Sequence, residues 1–515
     1  SQYGYYFVTD KAELQKQITW SEDDYSGSFA VDVDWYTAYA LHEVDQINLI
    51  DPTPDGSSGG GREFYGEMMN LKSKVLNISI PMQNVRSDKN SRCLVTLAAN
   101  SGEATPIQIN FANTTTTWRV PAISVSDSFT KAVADSAIVS GKASSTGAQD
   151  VTLYFKSSVS GAVAYLNYIE INAPCDLIMV GNQMPISNTQ CLGQSRALRY
   201  HLKNANATTQ IWRVTNGVDI EQMPTQMEGN TLTWIGANAI SEKYIAINPT
   251  ASNWKKPVTI GKVANQNLHA LSDIDYVIIC PAAFVEPATR LAQKHEEVDY
   301  LTWAVVTDEQ VYNEFSSGTP DATAYRWLMK MLYDRAGSNT SQRPKNLLLL
   351  GNGTYDNRKL LRKSGIRQLL TYQAKNSTIE TMAYATDDYF GFLKDNAGMN
   401  KGVFEDYRAQ MEIGVGRLPA KTLDEANQMV DKICTYMDDQ VQGKWKTQVL
   451  FLADDGDHGL HVETADGGAE RLRQKNKSFV VNKIYLDAYT QEVSAAGESY
   501  PLAKNQFDNL MSNGV

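Results

Sequence analysis

Tyr276-Val277-Ile278-Ile279-Cys280-Pro281 places a run of β-prone apolar residues directly before a proline, and a helix-like tract then runs to about Glu297. An apolar run this short, closed by a helix breaker and followed by helical periodicity, reads as a buried strand feeding a crossover helix. The same rhythm recurs downstream. Ala304-Val305-Val306 precedes a capping box at Thr307 and Gln310, and Thr319-Pro320 opens a helix whose Tyr325, Leu328, Met329 and Leu332 share one face. Leu347 to Leu350 reads as a fully buried strand, and Thr422 with Glu425 caps a helix carrying Ala426, Met429, Val430, Ile433 and Met437 at helical spacing. Val449 to Leu452 and Val480 to Leu486 are further strands, and Pro501 to Ser512 is a closing helix. Strand and helix in alternation predict a parallel sheet covered by helices.

Upstream the rhythm is different. From Ser1 to about Asn265 short runs of period two, such as Val75 to Ile80, Val151 to Phe155 and Ala162 to Ile171, alternate with polar turns. That pattern predicts antiparallel, sandwich-like sheets. Asp51 to Gly61, rich in Pro, Asp, Ser and Gly, and Ser140 to Thr146 read as loops. A break near Pro174 to Asp176 leaves a smaller β-rich unit with strands at Gln210 to Val214 and Leu232 to Trp234. The expected division is a sandwich-like domain over 1–175, a small β-rich domain over 176–265 and an α/β domain over 266–515, a multidomain chain consistent with its 515 residues.

The formal net charge of -11, from 47 basic and 58 acidic residues without a long basic cluster, argues against a nucleic-acid partner. No stretch is apolar for the roughly 18 to 20 residues that span a bilayer, and Ser1-Gln2-Tyr3-Gly4 lacks a signal-peptide layout. The reading is a cytosolic chain, or an exported one whose signal has been removed. Cys93, Cys175, Cys191, Cys280 and Cys434 show no zinc-like spacing, and spacing alone leaves a Cys175–Cys191 bridge open.

The richest chemistry follows the strand at Val449. Phe451 to His461 carries Asp454, Asp455, Asp457, His458 and His461, a set able to bind a cation, polarise water or orient a basic group at a strand's carboxyl end. The competing reading is a turn at Asp455-Gly456-Asp457 with Asp457 capping the next helix. Gly351 to Asp356 lacks the spacing of a phosphate-cradling loop. Asp387 and Asp388 are either calcium ligands or a solvated turn, and Cys280 is either a partner for His461 or a small buried hydrophobe. No GxSxG elbow precedes a helix.

The order of several tracts is more specific than any one of them. Tyr276 to Pro281, Val311 to Arg335, Leu347 to Asp356, Thr386 to Gly391, Ile413 to Pro419, Ala453 to Asp457 and Lys483 to Tyr489 together resemble the gingipain family of cysteine peptidases. Gly61 to Glu67, Leu166 to Asn172 and Trp212 to Thr215 place the likeness with the sortase branch of type IX secretion. The resemblance implies β-rich domains followed by a caspase-like α/β peptidase domain, in a protein exported and carried to the cell surface at the outer membrane. It implies removal of the C-terminal signal domain from secreted cargo and attachment of that cargo to anionic lipopolysaccharide through a thioester. Outer-membrane secretion components are the implied partners.

The family's catalytic His, in a Gly-His-Gly tract, and its Cys are expected on strands following the helix that ends near Asn513, and neither is present up to Val515. The chain is therefore expected to be a truncated and inactive piece of such an enzyme. Asp454, Asp457, His458 and His461 match the substrate-side rim, with His458 where arginine-specific members carry an acidic residue, so arginine specificity is not implied. No cofactor is required by the likeness, although calcium is compatible with Asp387, Asp388 and Asp455. Two rival readings are a metal-dependent hydrolase using the Asp/His tract, and an adhesion or glycan-binding module in the β-rich half.

Overall fold

The computed structural model describes the chain apart from residues 1–3, 9–17, 23–29, 52–58, 125, 146, 190–195, 216, 218, 237–242, 255, 362–368, 396–409, 439–442, 495–496 and 515. It falls into two units, one of residues 1–292 with 301–426, the other of 293–300 with 427–515. The fold is the expected one, β-rich sheets followed by an α/β region.

In the first unit two antiparallel sheets face each other. One runs Trp35–Glu43, Val163–Asp176, Asn90–Asn100, Val133–Lys142, and the other Val75–Pro81, Ala148–Phe155, Thr105–Phe111, Thr114–Val120. Period-two alternation sends Val95, Leu97, Ile107, Ile109, Val151, Leu153, Ile169 and Ile171 into a shared core, all fully buried. Ser140 to Lys142, expected as loop, completes a strand whose Gly141 pairs with Ser91. A Cβ on Gly141 would stand 2.5 Å from the Ala112 carbonyl, so the glycine answers a close backbone approach rather than a turn.

A second β-rich body pairs Thr19–Trp20, Asp219–Gln222, Gln210–Thr215, Lys243–Ile247 and Gln183–Ile186 in one sheet. Its other sheet holds Gln226–Glu228, Thr231–Gly236, Leu198–Leu202 and Val31–Val33. Tyr200 stacks on Trp234 at 4.8 Å in its core. Thr19–Trp20 and Val31–Val33 join these sheets in parallel register. The start of the chain thus pairs with residues beyond 176, unlike the sequence division at 175. Local alternation carries no information about partners so distant.

The α/β region of this unit is a four-stranded parallel sheet ordered Trp303–Thr307, Tyr276–Cys280, Asn346–Leu350, Gly414–Leu418. Thr307 and Gln310 form the expected capping box of the helix Asp308–Phe315. The helix Ala322–Ala336 begins after Asp321, whose carboxylate accepts from the Thr323 N–H, and not at Thr319-Pro320. Its Tyr325, Leu328, Met329 and Leu332 are buried against the sheet. Thr422 accepts from the Glu425 N–H, but the Glu425 carboxylate accepts from the Lys421 N–H, one residue outside the capping box expected there.

The second unit holds a parallel pair, Gln448–Ala453 and Val480–Tyr485, joined through the helix Leu460–Lys475. Gly468 permits that crossing, since a Cβ there would meet the Phe451 ring at 3.1 Å. Lys483 bonds Asp466 and Glu470 at 2.6 Å each, tying helix to strand. A hairpin, Glu492–Ser494 with Gly497–Ser499, precedes the helix Pro501–Asn513, which has Pro at its start.

Candidate functional site

In the second unit the strand Gln448–Ala453 delivers Asp454 to the carboxyl end of the parallel pair. The chain then turns sharply, because Asp457 (φ 51°), His458 (φ 56°) and Gly459 (φ 81°) all adopt left-handed backbone. Gly459 is the N-cap and provides no side-chain cap. Asp457 does not cap the helix; its Oδ2 lies 2.9 Å from His461 Nε2, with Asp454 Oδ1 at 4.0 Å from the same nitrogen. The pair is solvated, Asp457 being 74% and His461 48% exposed, so it contributes little to stability and leaves the imidazole open to a ligand. Asp455 accepts from the Tyr500 hydroxyl. That bond to a carboxylate, with burial and neighbouring acids adding to it, pushes the Tyr500 phenol up to about 12.

Asp454, His461, Leu486, Tyr500, Lys504 and Phe507 are among the lining of a cleft of about 700 Å³ beside these strand ends. It mixes an apolar floor with two carboxylates, of Asp454 and Glu498, an imidazole, a phenol and an ammonium group. Asp457, bonded to His461, and the exposed His458 are not part of the lining. Tyr500 and Lys504 were not singled out from the sequence. Their signal was the Tyr500-Pro501 helix start, which fixes the orientation of that helix but says nothing about what it faces.

In the first unit the sheet's carboxyl ends are built differently. Cys280 is fully buried, and burial, with the charge of Asp308, pushes its thiol up to about 12. It is a packing residue and not a nucleophile. Cys93 and Cys175 are also buried, with thiols raised by burial to about 12, and Cys434 is half-buried on the helix Leu423–Met437. The Cys175–Cys191 bridge involves a residue outside those described.

The Gly351 to Asp356 segment is structural. Asn352 N–H donates to the Ala420 carbonyl, and the buried Asp356 carboxylate accepts from the Leu360 and Leu361 N–H groups at 2.8 Å. Asp387 receives Arg417 in a two-pronged ion pair at 2.7 Å on each oxygen. The same guanidinium donates to the carbonyls of Gly351 and Leu370. Asp388 is exposed, and its N–H donates to Thr386 Oγ1. Asp387 and Asp455 are thus engaged by a guanidinium and a phenol. Among the described residues no group of three or more His, Cys, Asp or Glu side chains could hold a metal ion, so neither the calcium assignment nor the metal-hydrolase reading gains a site.

The sequence pattern of peptidase family C25 matches residues 269–515. Residues 269–515 are a C25, gingipain-family domain. The C25 domain and the β-rich bodies before it are together similar to the dimeric latent PorU from Porphyromonas gingivalis. The identity is 26%, over 88% of this chain and 44% of that one, with a TM-score of 0.72. The chain therefore spans less than half the length of that relative. The RgpB pro- and mature domains of Porphyromonas gingivalis match at 16% identity over 41% of each chain, with a TM-score of 0.28. A carbohydrate-binding module, CBM36 in complex with calcium and xylotriose, matches 26% of this chain and 98% of its own at 15% identity, with a TM-score of 0.18. No curated protein matches the chain.

Proposed function

We propose that this chain is part of a type IX secretion sortase, a cysteine-type peptidase that removes the C-terminal signal domain of exported cargo and transfers the cargo to anionic lipopolysaccharide at the cell surface. The observation that carries the reading is the likeness to latent PorU, which covers the β-rich bodies as well as the C25 domain. In this reading the cleft beside Asp454, His461 and Tyr500 contributes to the substrate side of the site. The acyl-carrying thiol is not Cys93, Cys175 or Cys280, since a thioester requires an accessible thiolate and these three are buried. Disruption of the gene tests the proposal. Secreted cargo is expected to keep its C-terminal signal domain and to lose its lipopolysaccharide-modified form, as read by mass spectrometry of intact cargo. Normally processed cargo in the disrupted strain would overturn it.

A further inference from the structure

The tract Gly59-Gly60-Gly61-Arg62-Glu63 crosses from the sandwich to a loop of the C25 domain, and three consecutive glycines lie in the contact. On the sandwich side the buried Asn48 holds Gly60 at both backbone groups, donating to its carbonyl at 2.9 Å and accepting from its N–H at 3.3 Å. On the other side a Cβ at Gly60 would fall 1.9 Å from the Ala383 carbonyl oxygen. At Gly61 (φ +70°) it would fall 2.3 Å from Ser377 Oγ, and at Gly59 (φ +150°) 2.6 Å from the Tyr355 ring. Arg62 N–H donates to the Ala374 carbonyl at 3.0 Å and Glu63 N–H to Ser377 Oγ at 3.0 Å. No other residue type allows a backbone to approach so closely.

A second segment of the sandwich grips the same loop. Lys131 N–H donates to the Thr378 carbonyl at 2.8 Å, Glu380 N–H donates to the Phe129 carbonyl at 2.9 Å, and Lys131 Nζ pairs with Glu380 at 2.8 Å. Thr130 and Ile379 form an antiparallel bridge. A third tie joins Arg358 to Asp45 at 2.6 Å. Ser377 and Thr378 are buried in consequence. The loop's own closure is short, an antiparallel pair of two residues on each side, Tyr372–Gln373 with Ala385–Thr386, continued by the Ala374 N–H bond to the Tyr384 carbonyl at 2.9 Å. Immediately after it comes Asp387, whose partner Arg417 lies on the strand Gly414–Leu418.

Backbone groups must be satisfied somewhere, and the partners of the Ala374 and Thr378 carbonyls and of the Glu380 N–H lie outside the C25 domain. We infer that the Gly59–Glu63 strap and the Phe129–Ala132 segment form a built-in clasp that sets the conformation of the 372–386 loop and, through Asp387, the seat of Arg417 at the sheet's carboxyl end. The sandwich is then a conformational part of the peptidase region rather than a separate binding module.

Hydrogen exchange of the 515-residue chain with Gly60→Val tests this. Amides of 374–386 are expected to exchange at least about tenfold faster than in the unmodified chain, corresponding to about 1.4 kcal/mol. The strands Asn90–Asn100 and Tyr276–Cys280 should keep their protection. Unchanged protection of 374–386 in the folded variant overturns the clasp. Equal loss across the sandwich strands overturns it too, since the glycines would then serve only the sandwich. If Gly60→Val does not fold, Ser377→Ala combined with Asp45→Asn loosens the clasp without a clash, and the same two outcomes decide.

Discussion

At the level of single residues the C25 domain is held by a few polar groups with several partners each. Arg417 joins the Asp387 carboxylate to the carbonyls of Gly351 and Leu370, and is 12% exposed. Arg417→Met would leave Asp387 largely buried without its counter-charge, and a loss of about 3 kcal/mol is expected in urea unfolding. Glu314 accepts from the N–H groups of Leu268 and His269, the Gln266 amide and the His269 ring. Burial opposes its charge, but these donors outweigh burial and hold the carboxyl below its ordinary value of 4.5. A lowered carboxyl contributes stability that is complete above 4.5 and is lost as pH falls through the folded value. Glu314→Gln should therefore flatten the fall in stability with acid below pH 4.5, and Glu314→Ala should cost about 2 kcal/mol at neutral pH, both read from denaturant midpoints.

The elements of the α/β region were legible because each is locally consistent. Tyr276–Cys280 is continuously buried, and the apolar face of Ala322–Ala336 follows from spacing alone. The start of that helix was misplaced because Pro320 looks like a first-turn residue, whereas the cap is made by Asp321, which bonds the Thr323 N–H at 2.8 Å. Asp321→Ala is expected to lower stability by about 1 kcal/mol, and Pro320→Ala by much less, in thermal unfolding. The candidate site was legible only in part. Asp454 and His461 reach the cleft because they follow a strand, a relation the sequence displays. Lys504 and Tyr500 lie far along the chain, and helical spacing does not tell which loop a helix will meet. Arg417 sits in a short strand whose neighbours are small and apolar, and a charge there is unremarkable until its four hydrogen bonds are seen.

For the whole molecule, the pairing of its first strands matters most. Removal of residues 1–34 is expected to strip an edge from each sheet of the second β-rich body while the sandwich core from Met69 to Cys175 remains intact. Two separated thermal transitions should result, the earlier one lost when residues 177–247 are also deleted; one unchanged transition would contradict the pairing. Asp32 bonds His201 across 169 residues of chain, so the sandwich is spliced between two pieces of its neighbour. Contacts so remote in sequence carry a large loop-closure cost and form slowly. In refolding from denaturant, the sandwich should condense in a faster phase, and quenching changes at Trp234, isolated by comparison with Trp234→Phe, should follow in a slower one. During synthesis Thr19–Trp20 and Val31–Val33 would then leave the exit pore well before their partners, and until those arrive they offer unpaired strand edges to a chaperone or to another copy of the chain.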